Sequence, residues 1–137
     1  MSAADFLDTN IFVYAYDYLD PRKQKIAQEF VLRAIAGEFV SSPQVLAEFS
    51  ATLLHKLSPR LTRADVTNAL DALAPVKLVT PDHGMVRRAI EAHYEYGIRL
   101  YDGMILAAAE RGGSAQIWSE DFNAGQEYFG IRIVNPF

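Results

Sequence analysis

At 137 residues, half of them apolar, the chain is long enough for one hydrophobic core and is expected to form a single domain over 1–137. It contains no Cys, which removes disulfides, thiolate catalysis and Cys-based zinc sites together. A net charge of -4 argues against a simple nucleic-acid binder with a basic face, but not against an enzyme that meets phosphates through a bound cation.

Residues 5–8 read as a short buried strand that stops at Asp8, with a helix from Ile11 to Tyr18 behind it. Too few residues precede that strand for a signal peptide, and no apolar run reaches the ~20 residues of a membrane span. A cytoplasmic protein without membrane contact is expected. Asp20-Pro21 supplies the cap and first turn of the next helix, and Gly37 closes it in a left-handed conformation. Phe39–Ser41 is strand two. Ser42-Pro43 opens a helix to about Leu57, striped with Val45, Leu46, Phe49, Leu53, Leu54 and Leu57, and Glu48 falls beside that stripe. After a break at Ser58-Pro59, Thr62 to Asp65 resembles a capping box, with Asp in place of the usual Glu, and a helix runs on to Ala74-Pro75. Residues 76–80 are strand three. Pro81-Asp82 opens a long helix that carries Val86, Ile90, His93 and Tyr94 and ends at Gly97. The helix from Tyr101 to Arg111 is apolar all round over Met104 to Ala109, so it is expected to be deeply buried. Strand four spans 115–119, a polar loop from Glu120 to Asn123 leads into one short helical turn, and strand five is Ile131 to Val134.

Strands alternating with helices imply an α/β fold with a parallel sheet flanked by helices. That geometry sends four acids to one edge. Asp8 ends strand one, Glu48 lies near the start of the helix after strand two, Asp102 opens the helix that feeds strand four, and Asp121 follows strand four. All lie at the carboxyl edge, where open sheets of this kind place their ligands. They converge if strands one and four are neighbours.

Bare carboxylates repel by about 4 kcal/mol per pair at ~4 Å and an effective dielectric of about 20. A cluster of them therefore protonates or holds a cation. Oxygen ligands without His or Cys suit Mg²⁺ or Mn²⁺, which can activate water and stabilise charge on a phosphodiester. The expected reaction is metal-dependent phosphodiester hydrolysis. Asp8 and Asp102 are its candidate metal ligands, Glu48 a ligand through water or the base, and Asp121 a contributor to a second metal position. Thr9, Asn10 and Ser119 are candidates to hold acid side chains or metal waters by hydrogen bonds. Singly, each acid has a plainer reading: Asp8 and Asp102 as helix caps, Glu48 as a solvated helix residue, Asp121 as a turn residue. His55, His83 and His93 lack the spacing of a zinc site.

Four stretches carry a family resemblance. Leu7-Asp8-Thr9-Asn10-Ile11-Phe12-Val13-Tyr14-Ala15, Gln44-Val45-Leu46-Ala47-Glu48-Phe49, Tyr101-Asp102-Gly103-Met104-Ile105-Leu106-Ala107-Ala108-Ala109 and Ser119-Glu120-Asp121-Phe122-Asn123-Ala124-Gly125 resemble, in order, the motifs of PIN-domain ribonucleases. The length is similar to that of VapC-type toxins of prokaryotic toxin–antitoxin pairs. The resemblance implies a PIN-like three-layer α/β/α fold with a five-stranded parallel sheet in order 3-2-1-4-5. It also implies Mg²⁺- or Mn²⁺-dependent endoribonuclease activity on an RNA substrate, a homodimer, and inhibition by a VapB-type antitoxin. Two departures stand out: Tyr101 where Trp is common and Gly103 where Ala is common. The glycine lowers helix propensity by about 1 kcal/mol. A phosphatase of the haloacid-dehalogenase type would resemble Asp-x-Asp where this chain has Asn10, and a receiver domain would want paired acids that are not found. The remaining alternative is a PIN-fold RNA- or protein-binding module without catalysis.

Overall fold

The computed structural model describes residues 3–55 and 61–137. Its strands are β1 (Asp5–Leu7), β2 (Phe39–Ser41), β3 (Lys77–Leu78), β4 (Gln116–Trp118), β5 (Glu127–Tyr128) and β6 (Ile131–Val134). Its helices are α1 (Thr9–Tyr14), α2 (Pro21–Ile35), α3 (Pro43–His55), α4 (Arg63–Ala72), α5 (His83–Tyr96) and α6 (Leu100–Arg111). The expected extension of α3 to Leu57 and the break at Ser58-Pro59 lie outside the described residues.

The sheet runs β3-β2-β1-β4-β6-β5. The first five of these are parallel in the order expected, and β1 and β4 are neighbours. The sixth, β5, was not expected. It pairs antiparallel with β6 where a helical turn was anticipated, through a two-residue loop in which Phe129 and Gly130 both have positive φ, 52° and 80°. Two consecutive left-handed residues make a turn whose twist matches a hairpin. The sheet therefore ends in a short mixed edge.

Side chains alternate across the strands, so helices cover both faces. Phe39 packs against Phe30 of α2, whereas Val40 lies on the side where α6 ends at Gly112. Phe6 and Leu7 are both fully buried, as expected for a central parallel strand.

The helix ends follow the expected local chemistry. Asp20 accepts from the amide of Lys23, and Asp82 from that of Met85. Thr62 and Asp65 form both halves of a capping box. At Gly37 (φ 90°), Gly37 N donates to Ala34 O and Glu38 N to Arg33 O, the paired bonds of a Schellman end.

The first helix differs from expectation: it begins at Thr9 rather than Ile11, because Asp8 caps it, and it stops at Tyr14. Helix α5 leaves Val86, Ile90 and Tyr94 exposed and buries Met85, Ala89 and Ala92. Small residues let α5 lie close on α6. A Cβ added at Gly103 would stand 2.7 Å from the carbonyl oxygen of Ala89.

Candidate functional site

Asp8 sits where β1 hands over to α1. Its amide donates to Trp118 O, so the chain leaves β1 alongside the end of β4, and Ser119 is the next residue there. Asp8 is 5% exposed and Ser119 fully buried. Asp8 Oδ1 accepts from the Thr9 amide at 2.8 Å, and Oδ2 from the Ser119 hydroxyl at 2.8 Å. Burial pushes the Asp8 carboxyl up to about 6, against the pull of those two bonds, and the charges of Asp121 and Glu48 add to the rise. The plainer reading of Asp8 as a cap is thus part of the answer. A cap alone, however, needs neither burial nor two acidic neighbours.

The polar residues after β1 and β4 tie the other acids to Asp8. Thr9 Oγ1 donates to Glu48 Oε2 at 2.7 Å. Asn10 Nδ2 donates to Ser119 Oγ and to Asp121 Oδ2, and its Oδ1 accepts from the Glu120 amide. Ser119 Oγ also accepts from the Asp121 amide. Thr9, Asn10 and Ser119 thus hydrogen-bond the side chains of Glu48, Asp121 and Asp8 respectively.

Asp102 belongs to the first turn of α6, in which Arg99 is the N-cap and makes no side-chain cap bond. Asp102 is not that helix's cap. Its Oδ2 accepts from Arg99 Nε at 3.1 Å. Asp102, and then Asp121 and Glu48, hold the Arg99 guanidinium above its ordinary pKa, so this one cation feels three of the four acids.

Three contributors escaped the sequence reading. Gln44 Nε2 donates to Glu48 Oε1 and to the backbone oxygen of Tyr101, joining α3 to α6. Arg99 pairs with Asp102. Glu120 pairs with Lys23 and accepts from Tyr14 Oη at 2.5 Å. Gln44 and Glu120 lie inside the quoted motifs, one turn before Glu48 and one residue before Asp121, and that adjacency was the available signal.

An open groove of about 640 Å³ leads away from the acids between α1 and α3, lined by Thr9, Asn10, Glu48, Thr52, His55 and Asp121 among others. Among the described residues, no three acid or histidine side chains stand close enough together to enclose a metal ion. The donor chemistry nonetheless fits a hard divalent cation. The acids offer only oxygen, and Asp8 is a buried carboxyl with no cationic side chain within hydrogen-bond reach among the described residues.

No curated protein matches the chain. Two similar solved structures come from toxin–antitoxin systems. A chain of a toxin–antitoxin complex from Klebsiella pneumoniae aligns with TM-score 0.70 and 17% identity, over 98% of each chain. A chain of VapBC-5 from Mycobacterium tuberculosis, a member of the VapBC family of toxin–antitoxin systems, aligns with TM-score 0.62 and 21% identity, over 96% of this chain and 98% of that one. At such identities the likeness speaks for the fold. The PIN domain family model matches residues 6–126, a span that holds all four candidate acids. The parallel order around β1 and β4, the Asp8 turn between them and this match over most of the sequence make the chain a member of the PIN-domain family.

Proposed function

We propose that the protein is a metal-dependent endoribonuclease, hydrolysing RNA phosphodiester bonds as the toxin of a VapBC-type toxin–antitoxin module. The observation that carries this is the hydrogen-bonded wiring of Asp8, Glu48 and Asp121 through Thr9, Asn10 and Ser119 at the carboxyl edge of the sheet, in a PIN-domain chain. Asp8 and Asp102 would hold Mg²⁺ or Mn²⁺, and Asp121 would contribute to a second position. Bound there, the metal supplies an activated water and stabilises charge on the phosphodiester. Glu48, fixed by Thr9 and Gln44, is then oriented as the base or as a ligand through water. The adjoining groove is where the RNA strand would run.

The partner in this reading is a VapB-type antitoxin, the toxin is a homodimer, and the compartment is the cytoplasm. Both structural neighbours from toxin–antitoxin systems support the module. Among the described residues no helix is long and apolar enough to cross a membrane. The second reading, a PIN-fold RNA- or protein-binding module without catalysis, is favoured by the absence of a ready-made metal cage among the described side chains.

The test is cleavage of total cellular RNA by antitoxin-free protein in Mn²⁺, Mg²⁺ or EDTA, beside Asp8→Asn and Asp102→Asn. Discrete fragments that need both the metal and the two acids support the nuclease. An inert wild type, shown by mass to be free of any partner, moves the reading to the binding module.

A further inference from the structure

We infer that Arg99 is a counter-cation built into this site. It holds Asp102 while no divalent cation is bound, releases it when one binds, and then offers its guanidinium to the RNA phosphodiester. The inference rests on the metal-nuclease reading above.

The position of Arg99 is the first observation. It occupies the N-cap of α6, where Asp20, Thr62 and Asp82 cap their own helices with side-chain oxygens. A guanidinium has five donors and no acceptor, so it cannot cap. The side chain turns instead to the acids and meets Asp102 Oδ2 through Nε.

How it is held is the second. Among the described residues Asp102 supplies the only ion pair to Arg99, at 3.1 Å, and the Arg99 side chain remains 86% exposed. An ion pair so exposed is weak and easily exchanged. It nevertheless engages one of the two expected metal ligands. A divalent cation held by Asp102 would compete with Arg99 for that carboxylate, and its double charge would favour it there.

The third is where the guanidinium is left. The Arg99 side chain is mostly exposed beside Asp102, and among the described residues only its Nε is engaged, while the charges of Asp121 and Glu48 also favour its charged form. The anion that arrives in a nuclease is a phosphodiester. The planar guanidinium fork pairs with phosphate oxygens through two parallel bonds, which an ammonium cannot do.

The experiment titrates Mn²⁺ by electron paramagnetic resonance into RNA-free wild type, Arg99→Ser and Arg99→Lys, and then measures KM for RNA at saturating Mn²⁺ over a range of salt. Serine restores a capping residue, so Arg99→Ser should melt no lower than wild type. It should bind Mn²⁺ more tightly, by up to about five-fold, the most an exposed ion pair is usually worth. Its KM should rise, and the slope of log KM against log salt should fall by about one. Arg99→Lys, which keeps the charge without the fork, should bind Mn²⁺ like wild type yet share part of the rise in KM. Equal Mn²⁺ affinity in wild type and Arg99→Ser overturns the inference, as does an unchanged KM and salt slope. A wild type that binds no Mn²⁺ overturns the metal reading itself.

Discussion

The hydroxyl of Ser119 donates to Oδ2 of Asp8 at 2.8 Å, joining the ends of two adjacent strands that lie 111 residues apart in the chain. Ser119 Oγ in turn accepts from the side chain of Asn10 and the amide of Asp121. One buried hydroxyl therefore satisfies three partners. Ser119→Ala removes a donor from Asp8 and an acceptor from both Asn10 and Asp121, and the expected cost is about 1–3 kcal/mol in a urea or thermal melt. Because the Ser119 bond pulls the Asp8 pKa down, its loss should also move Mn²⁺ binding to higher pH.

Asp8 makes the stability of the metal-free protein pH-dependent in an unusual direction. Its folded carboxyl is raised from 3.8 to about 6, chiefly by burial. The folded state thus binds more protons than the unfolded state between those two values. The associated stability is fully present below the unfolded pKa and is lost as pH rises through the folded one, a difference on the order of 3 kcal/mol. Asp8→Asn should therefore melt higher than metal-free wild type at pH 7.5, by roughly 3 °C or more, and the advantage should shrink at pH 5. A melting difference that is the same at both pH values would show that the carboxyl is not held up in this way.

Gly103 is the residue at which helix propensity and packing disagree. Alanine would favour the helix by about 1 kcal/mol. Its Cβ, however, would meet the Ala89 carbonyl oxygen at 2.7 Å and Ala89 Cβ at 3.1 Å. The nearest atom is backbone and cannot swing aside, so α5 would have to move off α6. Gly103→Ala should lower stability by about 1–2 kcal/mol, net of the propensity gain, as overpacked cores do. Double replacement with Ala89→Gly, which removes one of the crowding atoms, should recover part of the loss.

The same position shows what was legible in the chain and what was not. The parallel direction of β1, β2, β3 and β4 follows from the alternation of strands and helices and their order from the family resemblance, while the expectation that the acids share one edge rests on strand direction alone. The partners of those acids depend on which way side chains turn across elements far apart in sequence. Gln44 reaching Tyr101 and Lys23 reaching Glu120 are contacts of that kind, invisible to spacing. The buried face of α5 is set by a tertiary approach rather than by its largest apolar residues: Ala89 lies against Gly103, while Val86, Ile90 and Tyr94 face outward. The extra strand β5 is two residues long, and its turn places Phe129, rather than the usual Asn or Asp, at positive φ. The Tyr96 hydroxyl and the Arg88 guanidinium over the ring hold Phe129 in place, and both come from α5.

Glu120 provides the last test, because it anchors the loop that carries Asp121. Burial alone would raise its pKa, but the bonds from Lys23 and Tyr14 outweigh burial and lower it, so it is an ionised anchor held from α1 and α2. Lys23 also lies over the rings of Tyr14 and Phe137, which ties the C-terminal residue into the same cluster. Glu120→Gln keeps an acceptor for Tyr14 but discards the ion pair. If the anchor positions Asp121, the amides of Glu120 and Asp121, now bonded to Asn10 Oδ1 and Ser119 Oγ, should exchange hydrogen faster in the variant. In the proposed nuclease kcat should fall by about tenfold with KM nearly unchanged, as expected when a reacting group is misplaced rather than removed. Lys23→Met should reproduce both effects from the other side of the pair. If both variants cleave and exchange like wild type, Glu120 is a surface ion-pair partner and Asp121 is positioned by Asn10 and Ser119 alone.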